Sequence, residues 1–232
     1  MPMFRKGLSF LLACVLSPAL ASARQAPPAP APEPPAAAAS APAAARAPLV
    51  DLGEDLEALK KDFNASAGDV RMLLILSPGC PGCQEGSREV EQKLLQRFDS
   101  PNLKVFVVWF PLLQQDSREV AEASTSVFPD PRVRQYWLPS WKLANLYGGV
   151  LEFPKDYRYK VAVDVYMVFD DQAQWGAEIP RPAAWMHRLG EDERFLDAEK
   201  LRATVEGLVQ QAVARSACNC EVKKDGGGEG LP

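Results

Sequence analysis

The sequence predicts an α/β domain, a central mixed β-sheet flanked by helices, with a helical and loop insertion between its second and third strands. Three observations carry this. Residues 70–76 (VRMLLIL) and 104–110 (KVFVVWF) are near-continuous apolar runs, the pattern of strands buried on both faces. Residues 84–98 between them repeat Val90, Leu94 and Phe98 at helical spacing, so the three segments form a βαβ unit with parallel strands and a right-handed crossover. A second pair of apolar runs, 161–169 and 183–189, is linked by a long hairpin connection at 174–182. A helix follows, whose apolar stripe is Leu201, Val205, Leu208, Val209, Ala212 and Val213.

The 232 residues suffice for one domain of ordinary size with additions at each end. Residues 1–23 read as a bacterial-type secretory leader. Arg5 and Lys6 supply the positive start, 8–16 a short apolar core too short to span a bilayer, and Ala21-Ser22-Ala23 a cleavage site. A competing reading is lipoprotein processing at Cys14 after Leu11-Leu12-Ala13, although leucine just ahead of the Ala-Cys pair fits such a site poorly. Either reading exports the chain, to the periplasm or beyond, and a membrane contact follows only if Cys14 carries lipid. Residues 24–48 are almost all Ala and Pro, with no periodic apolar face. They read as a semi-rigid polyproline II spacer reaching up to about 75 Å.

The domain then runs over 49–222, and 223–232 form a Gly-rich tail expected to be disordered. Leu52, Leu56, Leu59 and Phe63 recur at helical spacing and predict a first amphipathic helix. In the insertion, Asp116 reads as the cap of a helix over 117–127, residues 128–137 as a proline-broken aromatic stretch, and 140–147 as a short helix stopped by Gly148-Gly149. Trp137, Trp141, Tyr147, Tyr157 and Tyr159 gather there with Arg132 and Arg134 interleaved. They read either as a recognition surface or, the blander reading, as core aromatics beneath a long loop.

The net charge is −4, and −6 once the leader with Arg5 and Lys6 is removed; with no basic stripe, this is a poor binder of nucleic acid. Nothing in the sequence resembles a hydrolase triad or a zinc-protease helix, and a single histidine, His187, argues against a hydrolytic site of the usual kind. Apart from Cys14 there are four cysteines in two close pairs, Cys80/Cys83 and Cys218/Cys220, which suits an exported, redox-exposed protein.

The chemistry concentrates in MLLILSPGCPGCQEGSREV, residues 72–90. A strand meets the turn Ser77-Pro78-Gly79, then Cys80-Pro81-Gly82-Cys83, then a helix. This order puts Cys80 at the helix N-cap and Pro81 at the first helical position, where a missing N–H costs nothing. The positive end of the helix favours a thiolate at Cys80, and Cys83 lies one turn on, close enough to close a disulfide. One cysteine can then attack and the other resolve the mixed disulfide. A structural disulfide and half of a metal site are the competing readings.

At these residues the chain resembles the thioredoxin-fold superfamily, specifically over 73–98 and more loosely through the later strand pair and final helix. The resemblance implies a thiol–disulfide oxidoreductase with Cys80 as nucleophile and Cys83 as resolving thiol, protein thiols or disulfides or a redox partner as its counterpart, and no cofactor. Two departures stand out. The buried acid that thioredoxins carry six residues before the first cysteine is here Leu74. Their cis-proline, just before the third strand, falls at Asp164, which makes Asp164 a candidate substrate-binding residue. A carboxylate there would raise a cysteine's pKa and slow thiolate chemistry.

The alternatives are a soft-metal protein using cysteine thiolates, and a non-catalytic interaction module whose disulfide is only structural. Copper-binding relatives of the fold use a C-x-x-x-C and a later histidine. The spacing here is one residue shorter, and His187 is expected to be packed or solvated, so no metal ligand is assigned. Cys218 and Cys220 form a second pair of undecided role. The final helix is expected to start near the dithiol and run away from it for about 30 Å, which argues against electron relay within one chain.

Overall fold

A computed structural model describes residues 48–153, 157 and 160–225, with side chains described as far as Cys218. The leader, Cys14, most of the Ala/Pro-rich spacer, Tyr159, the Cys220 side chain and residues 226–232 lie outside the described residues.

The sheet has six strands in the order β1-β4-β3-β2-β5-β6. These are β1 (Val50–Asp51), β2 (Val70–Leu76), β3 (Leu103–Trp109), β4 (Val133–Trp137), β5 (Val165–Phe169) and β6 (Ala184–His187). β1 through β2 run parallel across one half of the sheet, and β5 and β6 run antiparallel on the other side of β2. Among the described residues there are five α-helices: α1 (Glu57–Ala65), α2 (Pro81–Val90), α3 (Arg118–Ser124), α4 (Lys142–Gly148) and α5 (Ala198–Asp225). A βαβ unit, an inserted stretch, a hairpin and a terminal helix around a mixed sheet make this a thioredoxin-like α/β fold.

β2 is the centre because all seven of its residues are buried, with neighbours bonded on both sides. Phe63 of α1 seals one end of the core: its ring lies 5.1 Å from Phe169, 6.0 Å from Trp175 and 6.1 Å from Phe106. Aromatic edge-to-face contacts of this kind add to the area they bury. α5 packs its Leu201, Val205, Val209 and Ala212 inward.

Several elements differ from the sequence expectation. The stretch 128–137 is not a broken loop: Pro129 and Pro131 stand ahead of β4 rather than in it, and Val133–Trp137 completes the parallel ladder on β3. The two-residue β1 then pairs with β4 at the edge. α2 runs on into a π-helical turn, Glu91–Leu95. Ser117, not Asp116, caps α3, its hydroxyl accepting from the Val120 N–H at 3.3 Å. β5 begins only at Val165, because Asp164 adopts a left-handed backbone, φ 52°. Val213, placed in the apolar stripe of the last helix, is half exposed.

Candidate active site

The parallel strands β2 and β3 end side by side, and the chain leaves β2 through Ser77-Pro78-Gly79 into the N-terminus of α2. Cys80 is the N-cap residue, extended at φ −80°, with Pro81 first in the helix. The Cys83 N–H points at the Cys80 sulfur, 3.5 Å away, as a helix-capping donor does. Cys80 is half-buried, whereas Cys83 is fully buried and takes one N–H, from Ser77, at 3.4 Å. The two cysteines are free thiols that approach to 3.3 Å.

Their protonation is pushed apart. The Cys83 thiol donating to Cys80 is the main cause that brings Cys80 from its ordinary value of 9 down to about 6; the N–H groups of Cys83 and Gly82 act in the same direction. Burial and the nearby Asp116 charge oppose them. Cys83 moves the other way, raised by burial first, then by its bond to Cys80 and by the Asp164 carboxylate. A thiolate is the nucleophilic form of cysteine, so near neutrality the pair holds one reactive sulfur at the surface and one protonated sulfur behind it.

The register of β5 on β2 pairs Val165 with Ile75, which carries the preceding residue, Asp164, to the cysteine end of the sheet. One Asp164 oxygen and the two sulfurs lie within 4.8 Å of one another. Asp164, expected at the substrate, is buried, 3% exposed. Its Oδ1 accepts from the Tyr166 hydroxyl at 2.6 Å, and its backbone oxygen from the Arg188 N–H at 3.0 Å. Burial, then the Cys80 charge, raises its pKa to about 6, against the pull of Tyr166 and Arg188. Two glycines make room: a Cβ on Gly82 would come within 2.9 Å of the Asp164 carboxylate, and one on Gly86 within 2.0 Å of the Tyr166 hydroxyl.

Sequence reasoning missed Asp116 and Tyr166. Asp116 accepts from the Ser77 hydroxyl (2.7 Å), and from the N–H groups of Gly79 (2.8 Å), Leu112 (2.9 Å) and Leu113 (2.8 Å). It thereby ties the turn before Cys80 to the loop after β3. Tyr166 could have been found as the residue two after Asp164, on the same face of a strand.

The remaining candidates lie elsewhere. Cys218 is exposed. Three residues earlier, Arg215 pairs with Asp171, which follows the end of β5 remote from the dithiol, so Cys218 sits at the opposite pole. His187 is fully buried: its Nδ1 accepts from the Leu189 N–H at 3.1 Å, and its Nε2 lies 3.1 Å from Asp192. The copper alternative therefore has no free histidine at the dithiol.

The aromatic group of the insertion is dispersed. Tyr147 is core, Trp137 belongs to β4, and Trp141 is 41% exposed with its indole N–H on the Pro111 carbonyl at 2.6 Å. Arg132 binds Asp130 and the Leu95 and Phe98 carbonyls, and Arg134 pairs with Asp62.

Among solved structures, the chain is similar to MTB DsbF, at 15% identity over 62% of this chain and 84% of that one, with a TM-score of 0.37. It is also similar to a thiol:disulfide interchange protein of the thioredoxin family from Chlorobium tepidum, at 7% identity over 62% and 83%, TM-score 0.40. A third is a secreted disulfide oxidoreductase of Mycobacterium tuberculosis, at 8% identity over 62% and 85%, TM-score 0.38. No protein-family model and no curated protein matches the chain.

Proposed function

We propose that this protein is an exported thiol–disulfide oxidoreductase that works through Cys80 and Cys83 on protein thiols or disulfides. The observation that carries the proposal is the split pair: a half-exposed Cys80 with its pKa near 6 at a helix N-terminus, against a buried Cys83 that stays protonated. Cys80 attacks a substrate disulfide, and Cys83 displaces the substrate from the mixed disulfide. The proposed working unit is 49–222, with Cys218 and Cys220 outside the exchange.

The low pKa of Cys80 also bears on direction. A thiolate exists only in the reduced form. Its folded pKa lies below the ordinary value, so it stabilises the reduced protein fully above about pH 9. That contribution shrinks as pH falls and is gone once pH drops through about 6. Selective stabilisation of the reduced form makes the disulfide a better oxidant.

The test uses reduced protein with Cys14, Cys218 and Cys220 changed to serine. Alkylation of Cys80 by iodoacetamide is expected to be half-maximal near pH 6. Equilibration with glutathione is expected to give a reversible two-electron couple within about −270 to −120 mV. An alkylation midpoint near 9, or a disulfide that glutathione does not reduce, would mean a structural bridge and would end the proposal.

Export rests on the leader, Arg5 and Lys6 followed by 8–16 and Ala21-Ser22-Ala23. Among the described residues no helix is long and apolar enough to cross a membrane. Expression of the whole chain in a Gram-negative host should yield a shortened product in the periplasm. Recovery of the uncut chain from the cytoplasm alone would contradict it.

A further inference from the structure

Granting the exchange reading of Cys80 and Cys83, we infer that Asp164 is the proton acceptor for Cys83 in the resolving step, a catalytic carboxylate rather than a contact for substrate. Cys83 is fully buried and must lose a proton as it attacks, and solvent does not reach it. Among the described residues, the titratable groups around it are Cys80 and Asp164 from beside the sulfur and Tyr166 behind them. Cys80 is the sulfur under attack and cannot take the proton. Tyr166 donates its own hydroxyl to Asp164 and, with its pKa pushed far up, is no acceptor. That leaves the Asp164 carboxylate, within 4.8 Å of both sulfurs, a span that direct contact or one water molecule closes.

The surroundings are built for the task. Asp164 sits in a left-handed backbone, a conformation that costs energy for a non-glycine residue. Two hydrogen bonds hold it there, from the Tyr166 hydroxyl to its carboxylate and from the Arg188 N–H to its carbonyl, and Gly82, with no Cβ, leaves room for the carboxylate. Arg188 is itself fastened to Glu85 and Glu89 of α2, so the loop before β5 and the cysteine helix are braced together.

In the mixed disulfide, Cys80 Sγ is bonded to the substrate sulfur. Cys83 Sγ attacks Cys80 Sγ while its S–H proton passes to Asp164. The Cys80–Cys83 bond forms, the bond from Cys80 to the substrate breaks, and the substrate sulfur leaves with the electron pair as a thiolate. The protein dithiol loses two electrons and the substrate disulfide gains them. In the reverse direction the Asp164 carboxylic acid returns the proton to Cys83 as it leaves.

The ionised carboxylate disfavours a free Cys83 thiolate, so the thiol keeps its proton until the attack draws it off. Timing follows from charge. The Cys80 thiolate is one of the causes that raise Asp164, and it disappears when Cys80 enters the mixed disulfide. Asp164 therefore becomes more readily ionised at the stage where it must accept. Arg188, of opposite sign, favours the same form, while the Asp116 charge raises the Cys80 thiol.

The experiment follows single-turnover reaction of the whole reduced chain, with Cys14, Cys218 and Cys220 as serine, with one equivalent of dithiobis(nitrobenzoate). The first nitrothiolate released reports attack by Cys80, and the second reports resolution by Cys83. Asp164→Asn is expected to keep the first release fast and to slow the second about a hundredfold at neutral pH. A second release equal in variant and parent overturns the inference. A parent that gives no second release overturns the exchange reading itself, and the inference with it.

If Asp164→Asn does not fold, as judged by circular dichroism, Tyr166→Phe decides. It keeps the carboxylate but removes the hydrogen bond that lowers its pKa. The midpoint of the second release is then expected to move to higher pH, and an unmoved midpoint overturns the assignment.

Discussion

Cys80→Ser is expected to abolish disulfide exchange, by roughly a thousandfold or more, while Cys83→Ser is expected to stall it halfway. The asymmetry follows from the geometry of the two sulfurs. Cys80 is the half-exposed residue, and three donors stabilise its negative charge: the Cys83 thiol and the N–H groups of Cys83 and Gly82. A serine hydroxyl in the same place does not ionise near neutrality, so the donors have no anion to hold and the first bond is never made.

Cys83 is fully buried, with its pKa raised, and cannot replace Cys80 as the attacking group. Without it, Cys80 still reacts, but nothing displaces the bound sulfur. Cys83→Ser protein mixed with dithiobis(nitrobenzoate) should therefore release one nitrothiolate and retain the other, visible as an added mass. Cys83→Ala, which has no side-chain donor at this position, removes the largest single cause of the low Cys80 pKa, so its alkylation midpoint should rise above about 6. Full turnover by Cys80→Ser, lost only when Cys218 and Cys220 are also replaced, would move the active dithiol to the C-terminal pair.

The central strand and the cysteine turn were legible because their signals are local. Residues 70–76 form β2 as the apolar run predicts, and Pro81 at the start of α2 follows from the proline's fixed φ and missing N–H. β4 was not legible, since Val133–Trp137 carries Arg134 and Gln135 within five residues. Gln135 is buried through the Trp109 indole N–H it accepts and the Thr125 carbonyl it donates to, partners that no local pattern reveals.

The same limit applies at the site. Counting back from Phe169 set Asp164 opposite the dithiol, but its burial and its bond to Tyr166 appear only once β5 is registered on β2. Asp116 looked like a helix cap because it precedes a helix, yet Ser117 does the capping. Two of the donors to Asp116 come from residues 37 and 39 positions away.

Asp116→Ala is expected to cost about 3 kcal/mol of stability and to lower the melting temperature by about 9 °C. One carboxylate accepts four hydrogen bonds, from the Ser77 hydroxyl and from the N–H groups of Gly79, Leu112 and Leu113. Ser77 is fully buried, so its hydroxyl loses its partner where water does not reach. The other three donors are half-buried and recover part of the loss from solvent. Denaturant unfolding of the reduced protein measures the sum. A loss below about 1 kcal/mol would mean that the turn before Cys80 stands without this clamp.

Asp116→Asn separates the clamp from the charge. The amide keeps the shape and part of the bonding, so its stability loss should fall between that of the parent and that of Asp116→Ala. The Asp116 charge raises the pKa of Cys80, so removing it should take the alkylation midpoint below about 6. A midpoint that rises instead would show that Asp116 serves Cys80 mainly by holding the Gly82 and Cys83 N–H groups in line with its sulfur. The clamp would then be the reason that Cys80 can be a thiolate despite a carboxylate so close by.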